Sequence, residues 1–360
     1  MTTGSSLDQR ATGIHRSSLV IDTHVDTITH LMWRQPGFGE RLQNGHVDIP
    51  RMREGGLGAA FFAIWVDDGA YDEEASLAYV MRGVDVMYRT VEAHDGALEI
   101  ALNANDVERI HRGGRIAVLL SIEGGNALCS DVRVLRSLWR LGIRSVTLAW
   151  QRATKWADSS NEAPHGGLTE TGRDIVREMG QIGMLPDVSH LSDPAFYDVL
   201  ETAERPVFAS HSSCRALQRA RRNMSDEMIR ALADHGGVIN INFGSGFIGG
   251  EGHAPHVPVM EVDYSQYADP YARIAEPVPG PGAPFERVVD HFDHAVEVAG
   301  PEHVGIGSDF DGVRSLPQGL EDVSKLPAVT RGLLERGHCE ETVRGILGGN
   351  NLRLFRQSLD

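Results

Sequence analysis

Eight short apolar runs, each followed by a stretch with helical periodicity, constrain this chain more than any other feature. They are "LVIDTHVD" (19–26), "GAAFFAIWV" (58–66), "IAVLLSIEG" (116–124), "SVTLAW" (145–150), "MLPDVSH" (184–190), "VFASH" (207–211), "VININ" (238–242) and "HVGIGSD" (303–309). A strand that is apolar on both faces belongs in a parallel sheet covered by helices. The intervening segments supply those helices. In "TETGRDIVREMGQIG" Thr169 opens a capping-box pattern and Gly183 is placed to stop the helix. Residues 193–204, 224–237 and 285–300 read the same way. Eight such units predict a (β/α)8 TIM barrel, which typically takes ~250 residues. The surplus of this 360-residue chain then falls in loops and terminal helices. One Gly/Pro-rich insertion, at about 244–283, separates the seventh run from its helix and reads as a lid or a disordered segment. No repeat or linker divides the chain, so residues 1–360 are expected to form one barrel domain.

Charge narrows the partners. With 34 basic against 50 acidic residues the formal charge is -16, which repels a phosphate backbone and excludes nucleic acid. The first residues carry no apolar core of signal-peptide length and no run is long enough to span a bilayer, so a cytoplasmic protein without membrane contact is expected. Cys129, Cys214 and Cys339 are three, widely spaced, and encode neither a disulfide framework nor a CxxC site.

The ends of the apolar runs are where the chemistry gathers. In a barrel of this type the active site lies at the C-terminal ends of the strands. There the sequence places His24 and Asp26, Glu123, Asp187 and His190, His211, and Asp309. His24 and Asp26, two apart in an extended chain, project from one face. Imidazoles and carboxylates crowded at one mouth need a cation to balance them. The donor types suit zinc or a related divalent ion. Five ligands exceed what one catalytic zinc with an open position uses, so two ions are the more economical reading, with Glu123 bridging them. Two ions can together generate a hydroxide at neutral pH and polarise a carbonyl, which is hydrolytic machinery. Asp187, three residues before His190, would face the other side of a regular strand and is expected to be structural.

At these residues the chain resembles a known family. "DTHVDT" (22–27), "SIEGGNAL" (121–128), "HGGLTETGRDIVREMGQIGMLPDVSHLSD" (165–193), "SHSSCRALQRARRN" (210–223) and "GIGSDFDG" (305–312) are similar to the membrane (renal-type) dipeptidases, peptidase family M19 of the amidohydrolase superfamily. The resemblance extends from about Ser18 to Phe355. It implies a barrel with two zinc ions and a hydroxide between them: His24 and Asp26 on one ion, Glu123 bridging, His190 and His211 on the other. Asp309 would exchange protons with the attacking water and the leaving amine. Arg222 would hold the carboxylate of a small dipeptide, a D-residue at its C-terminal position being within the expected range. Such barrels commonly form homodimers. One position departs from the pattern: where many relatives carry a histidine that hydrogen-bonds the scissile carbonyl, this chain has Trp150, whose indole donates but cannot take up a proton. Losing one such donor can cost ~10²-fold in turnover.

Other readings use parts of the same evidence. Hydrolysis of N-acyl amino acids or lactams would need the same metal centre, a ligand-binding barrel would need none, and a two-carboxylate glycosidase leaves three histidines unexplained. Asp311 is the better candidate than Asp309 for capping a following helix. His291 and His294, one turn apart, are expected on the wet face of an outer helix. His253 and His256 fall in the long insertion, and His165 is expected to brace a loop.

Overall fold

The computed structural model describes residues 3–34, 37–249 and 281–360. Nine parallel strands carry the fold: β1 (Val20–Val25), β2 (Leu57–Trp65), β3 (Leu98–Ile100), β4 (Ile116–Glu123), β5 (Ile143–Thr147), β6 (Leu185–Asp187), β7 (Phe208–Ser212), β8 (Val238–Ile241) and β9 (Val304–Ile306). Their order is β2-β1-β9-β8-β7-β6-β5-β4-β3, and an additional β2–β4 pairing closes the ring. β3 pairs only with the first residues of β4, whose later residues pair with β5. Eight strands therefore form a closed (β/α)8 barrel, and they coincide with the eight apolar runs.

Burial explains the runs. Along β2, Ala60, Phe62 and Ile64 pack outward against the helices, whereas Ala59 and Phe61 point into the barrel. Phe61 lies 5.9 Å from Phe208 and 5.5 Å from Phe355, ring centre to ring centre. Phe355 belongs to the C-terminal helix Asn350–Ser358, so this trio plugs the floor of the barrel. Toward the opposite end the inward positions turn polar, and Trp65, Glu123 and Thr147 stand in register on neighbouring strands.

Several strands end earlier than their apolar runs. β6 stops at Asp187 and β9 at Ile306, because His190 (φ 71°) and Asp309 (φ 63°) adopt left-handed backbone that no strand accommodates. Helix Glu170–Ile182 forms as expected, with Thr169 accepting from Gly172 N and Gly183 (φ 73°) ending it. Its capping box is only half present, since the third residue is Gly172 and not an acid. A Cβ at Gly172 would collide with the carbonyl oxygen of Trp156, so no larger side chain fits there. Of the long insertion, residues 250–280, with His253 and His256, lie outside the described residues. Its described flanks meet where Ala283 N donates to Ser245 Oγ at 3.0 Å.

Candidate metal centre

Five side chains meet at the barrel mouth: His24 on β1, Asp26 just past its end, Glu123 on β4, His190 in the turn after β6 and His211 on β7. Glu123, the last residue of β4, presents Oε1 to His190 Nε2 at 2.9 Å and to His211 Nε2 at 3.3 Å, and Oε2 to His24 Nε2 at 3.5 Å. His24 Nε2 also stands 3.4 Å from Asp26 Oδ2. The two nitrogens of His190 and His211 are 3.1 Å apart, and the rings of His24 and His211 stack at 3.7 Å. All five residues are buried. Donor atoms of His24, Glu123 and His211 form one group close enough to share an ion, and those of His24, Asp26 and Asp309 form a second.

The electrostatics of this cluster call for cations. Burial alone would keep His24 neutral, yet the Asp26 and Glu123 carboxylates pull its imidazole well above the usual histidine range. Burial raises Asp26 to about 6, and burial together with the Asp26 carboxylate holds Asp309 well above the usual carboxylate range. His24 Nε2 and Asp26 Oδ1 are buried without a hydrogen-bond partner. Unpaired buried donors and acceptors of this kind are what a coordinated ion satisfies, and the mixed imidazole and carboxylate set suits a divalent metal.

A further layer of residues fixes which nitrogen faces the centre. Ser210 Oγ lies 2.5 Å from Asp187 Oδ2 and 2.7 Å from His211 Nδ1. A carboxylate only accepts, so the single hydroxyl proton goes to Asp187, and Nδ1–H of His211 donates to Ser210. Nε2 of His211 is therefore left as a bare lone pair directed at Glu123 and His190, the tautomer a metal ligand requires. Asp187 itself accepts from Ser189 N, Ser210 N and Thr147 Oγ1, and it contacts the centre only through these neighbours. The structural role expected of it stands, though not for the reason of strand alternation, because β6 ends at Asp187 and His190 lies in the following turn.

Asp309 leans over the centre from the segment after β9, where Asn242 Nδ2 donates to its Oδ2 at 2.7 Å and its own N–H donates to the His24 carbonyl at 3.1 Å. Arg222 reaches in from the loop after β7. It donates from Nη1 to Ser212 Oγ at 2.8 Å and from Nη2 to the carbonyl of His211 at 2.5 Å. Its Nε–H is buried with no acceptor, and no carboxylate pairs with it among the described residues. A buried guanidinium in this state is suited to receive a carboxylate from outside the chain.

Trp150 also borders the site, its ring centre 6.4 Å from that of His190 and 4.9 Å from that of Trp65. Sequence reading passed over Asp22, whose Oδ1 accepts from Ser308 N and His24 N and so ties β1 to the segment after β9. Its spacing of two from His24 was the available signal. Asn242 and Ser210 carried no signal of their own, since their partners are distant in sequence.

Two expectations need correcting. Asp311 caps no helix: Oδ2 accepts from Thr27 Oγ1 and Oδ1 from His46 N, at 2.7 and 2.6 Å, because the chain after it turns without forming one. His291 is fully buried, not wet. It sits on the apolar stripe of its helix with Val288, Phe292 and Ala295, accepting from Cys214 N at Nδ1 and meeting the Ile248 carbonyl through Nε2. His294 pairs with Asp226 at 2.8 Å, and His165 bridges its loop to the Thr154 carbonyl at 3.0 Å.

A family model described as membrane dipeptidase (peptidase family M19) matches residues 8–359. The chain belongs to that family. Relatives agree with the M19 assignment. Dipeptidase tcpJ of Claviceps purpurea is 38% identical over 325 residues, covering 88% of this chain and 70% of the relative. Human Dipeptidase 3 is 32% identical over 359 residues, covering 97% and 67%. Among solved structures, a metallopeptidase from Rhodobacter sphaeroides, liganded with a phosphinate mimic of the dipeptide L-Ala-D-Ala, superposes with a TM-score of 0.80 at 26% identity, covering 95% of this chain and 100% of that one. The M19 fold and the dipeptidase type of metallopeptidase are thus those the sequence led us to expect. The cytoplasmic location expected from the N-terminus gains no support from a family described in this way. Among the described residues no helix is long and apolar enough to cross a membrane.

Proposed function

We propose that this M19 chain hydrolyses the peptide bond of small dipeptides, C-terminal D-residues included, at a centre of two zinc ions. The observation that carries the reading is the convergence of His190, His211 and His24 nitrogens on the two oxygens of Glu123, at 2.9 to 3.5 Å. His24 and Asp26 would hold one ion, His190 and His211 the other, with Glu123 between them. Such a pair, when bound, supplies a water nucleophile at neutral pH and polarises the scissile carbonyl.

The chain's own residues do the rest. Arg222 receives the substrate's terminal carboxylate through its spare N–H groups and so fixes the peptide bond over Glu123. Asp309 takes the proton of the attacking water and returns it to the departing nitrogen, the step that lets an amine leave. Asn242 holds Asp309 in place for both transfers. The dipeptide-mimic complex of the Rhodobacter relative supports the substrate class and the D-residue. Trp150 leaves the oxyanion without the histidine found in many relatives.

The test is a panel of L,L- and L,D-dipeptides set beside N-acyl amino acids and β-lactams, run on zinc-replenished protein. Turnover of dipeptides above the other classes is expected. Turnover confined to N-acyl amino acids or lactams would overturn the substrate assignment while leaving the metal centre intact.

A further inference from the structure

We propose that Trp65 and Trp150 together form the subsite for the N-terminal residue of the substrate, with Trp65 Nε1–H donating to the substrate backbone and the two indoles selecting bulky, flat apolar side chains. This rests on the dipeptide reading, in which Arg222 takes the C-terminal carboxylate. The order of strands then sets the direction of the bound molecule. Around the closed ring, β2 lies four strands from β7 in either direction. Arg222 follows β7, so a dipeptide held there and crossing the centre at Glu123 brings its N-terminal residue to the side formed by β2, β4 and β5.

Two indoles occupy that side. Trp65 is the last residue of β2, in register with Glu123 on β4, and it shares the inward-pointing parity of Ala59 and Phe61. It is 5% exposed, and its Nε1 is buried without an acceptor. A buried N–H left unpaired is costly, and an acceptor brought by a ligand removes that cost. The candidate acceptor in a dipeptide is the carbonyl of its first residue, which is the scissile carbonyl, so this N–H would add one donor to the oxygen that the bound ions would polarise. Trp150, three residues past the end of β5, packs its ring against Trp65 edge-on at 73° and 4.9 Å, while remaining partly exposed. Gly124 follows Glu123 at the strand end. Its φ of 109° turns the chain away directly after Glu123, and a Cβ there would stand 3.3 Å from the Val66 carbonyl and 4.0 Å from the Cβ of Trp150. Edge-to-face geometry leaves the indole faces able to take a third aromatic or branched side chain.

The experiment compares kcat/KM for X-Ala dipeptides (X = Gly, Ala, Leu, Phe) and for Ala-X dipeptides, using the unaltered zinc-loaded enzyme, Trp150→Ala, Trp150→His and Trp65→Phe. Intrinsic tryptophan fluorescence is titrated in parallel with phosphinate mimics of Gly-Ala and Phe-Ala. The unaltered enzyme should favour Phe-Ala over Gly-Ala by about tenfold, the scale on which a hydrophobic pocket discriminates. Trp150→Ala and Trp150→His should reduce that ratio to about twofold or less, while any change in absolute turnover is common to both series and the preferences within the Ala-X series stay as they are. Trp65→Phe should lower the whole series by about tenfold while keeping the ratio, because it removes the N–H and retains the ring. The Phe-Ala mimic should change the fluorescence of the unaltered protein more than that of Trp150→Ala. An X-Ala ratio indifferent to Trp150, or a loss that follows the C-terminal residue instead, overturns the subsite. Absence of turnover and of mimic binding for every dipeptide overturns the proposed reaction, and the subsite with it.

Discussion

His211 Nδ1 donates its proton to Ser210 Oγ across 2.7 Å, because the Ser210 hydroxyl proton is committed to Asp187. Which nitrogen His211 turns to the centre is thus chosen by two residues that never reach it. Ser210→Ala should weaken metal affinity by about 10- to 100-fold, the usual effect of removing an orienting partner. Titration with a competing chelator measures it, and an unchanged affinity would show that the tautomer is set elsewhere.

Arg222 should act on substrate binding. Replacing it with Met should lower kcat/KM on the order of 10²-fold, mostly through KM, since a charge-assisted contact to the carboxylate is lost from ground and transition state alike. Dipeptides amidated at the C-terminus should show the same loss with the unaltered enzyme and little further loss with the variant. Steady-state kinetics on the four combinations give the coupling between the two changes.

Asp309→Asn should reduce kcat on the order of 10³-fold, as expected for removal of a general acid and base, with bound zinc retained. Asn242→Ala, which frees the Asp309 carboxylate from its 2.7 Å hydrogen bond, should cost less, about tenfold. Metal content and turnover measured on the same samples separate the two effects.

Acid should destabilise the fold through His291. Burial pushes its imidazole from 6.5 down to about 4, and Nδ1 is engaged in accepting the Cys214 N–H. The folded value lies below the unfolded one, so the contribution is complete above pH 6.5 and drains away as the pH falls toward 4. Across that window it amounts to on the order of 3 kcal/mol. Urea midpoints taken between pH 7.5 and 4.5 should fall for the unaltered protein and fall less for His291→Gln, which begins from a lower value at pH 7.5.

Most of the barrel was legible because its strands are apolar on both faces and each is long enough to stand out between turn signals. β3 was missed: three residues, Leu98 to Ile100, carry too little pattern. The limits of β6 and β9 were misjudged because the left-handed turns at His190 and Asp309 leave no mark on hydrophobicity. The side chains gathered at the barrel mouth could be read since their types are anomalous at the ends of apolar runs. Ser210, Asn242 and Asp22 could not, because their roles exist only through partners 23, 67 and 286 residues away. His291 was readable in principle, for it shares the spacing of Val288, Phe292 and Ala295, but its neighbour His294 suggested a polar face.

The central claim is that Glu123 and the three histidines around it exist to hold two metal ions. The most direct measurement is the metal content of purified protein after zinc replenishment, by elemental analysis, for the unaltered chain and for Glu123→Gln. The account predicts two ions per chain, with at least one lost from the variant and with turnover abolished by a chelator. Trace metal in replenished, folded protein, or full activity after its removal, would contradict it.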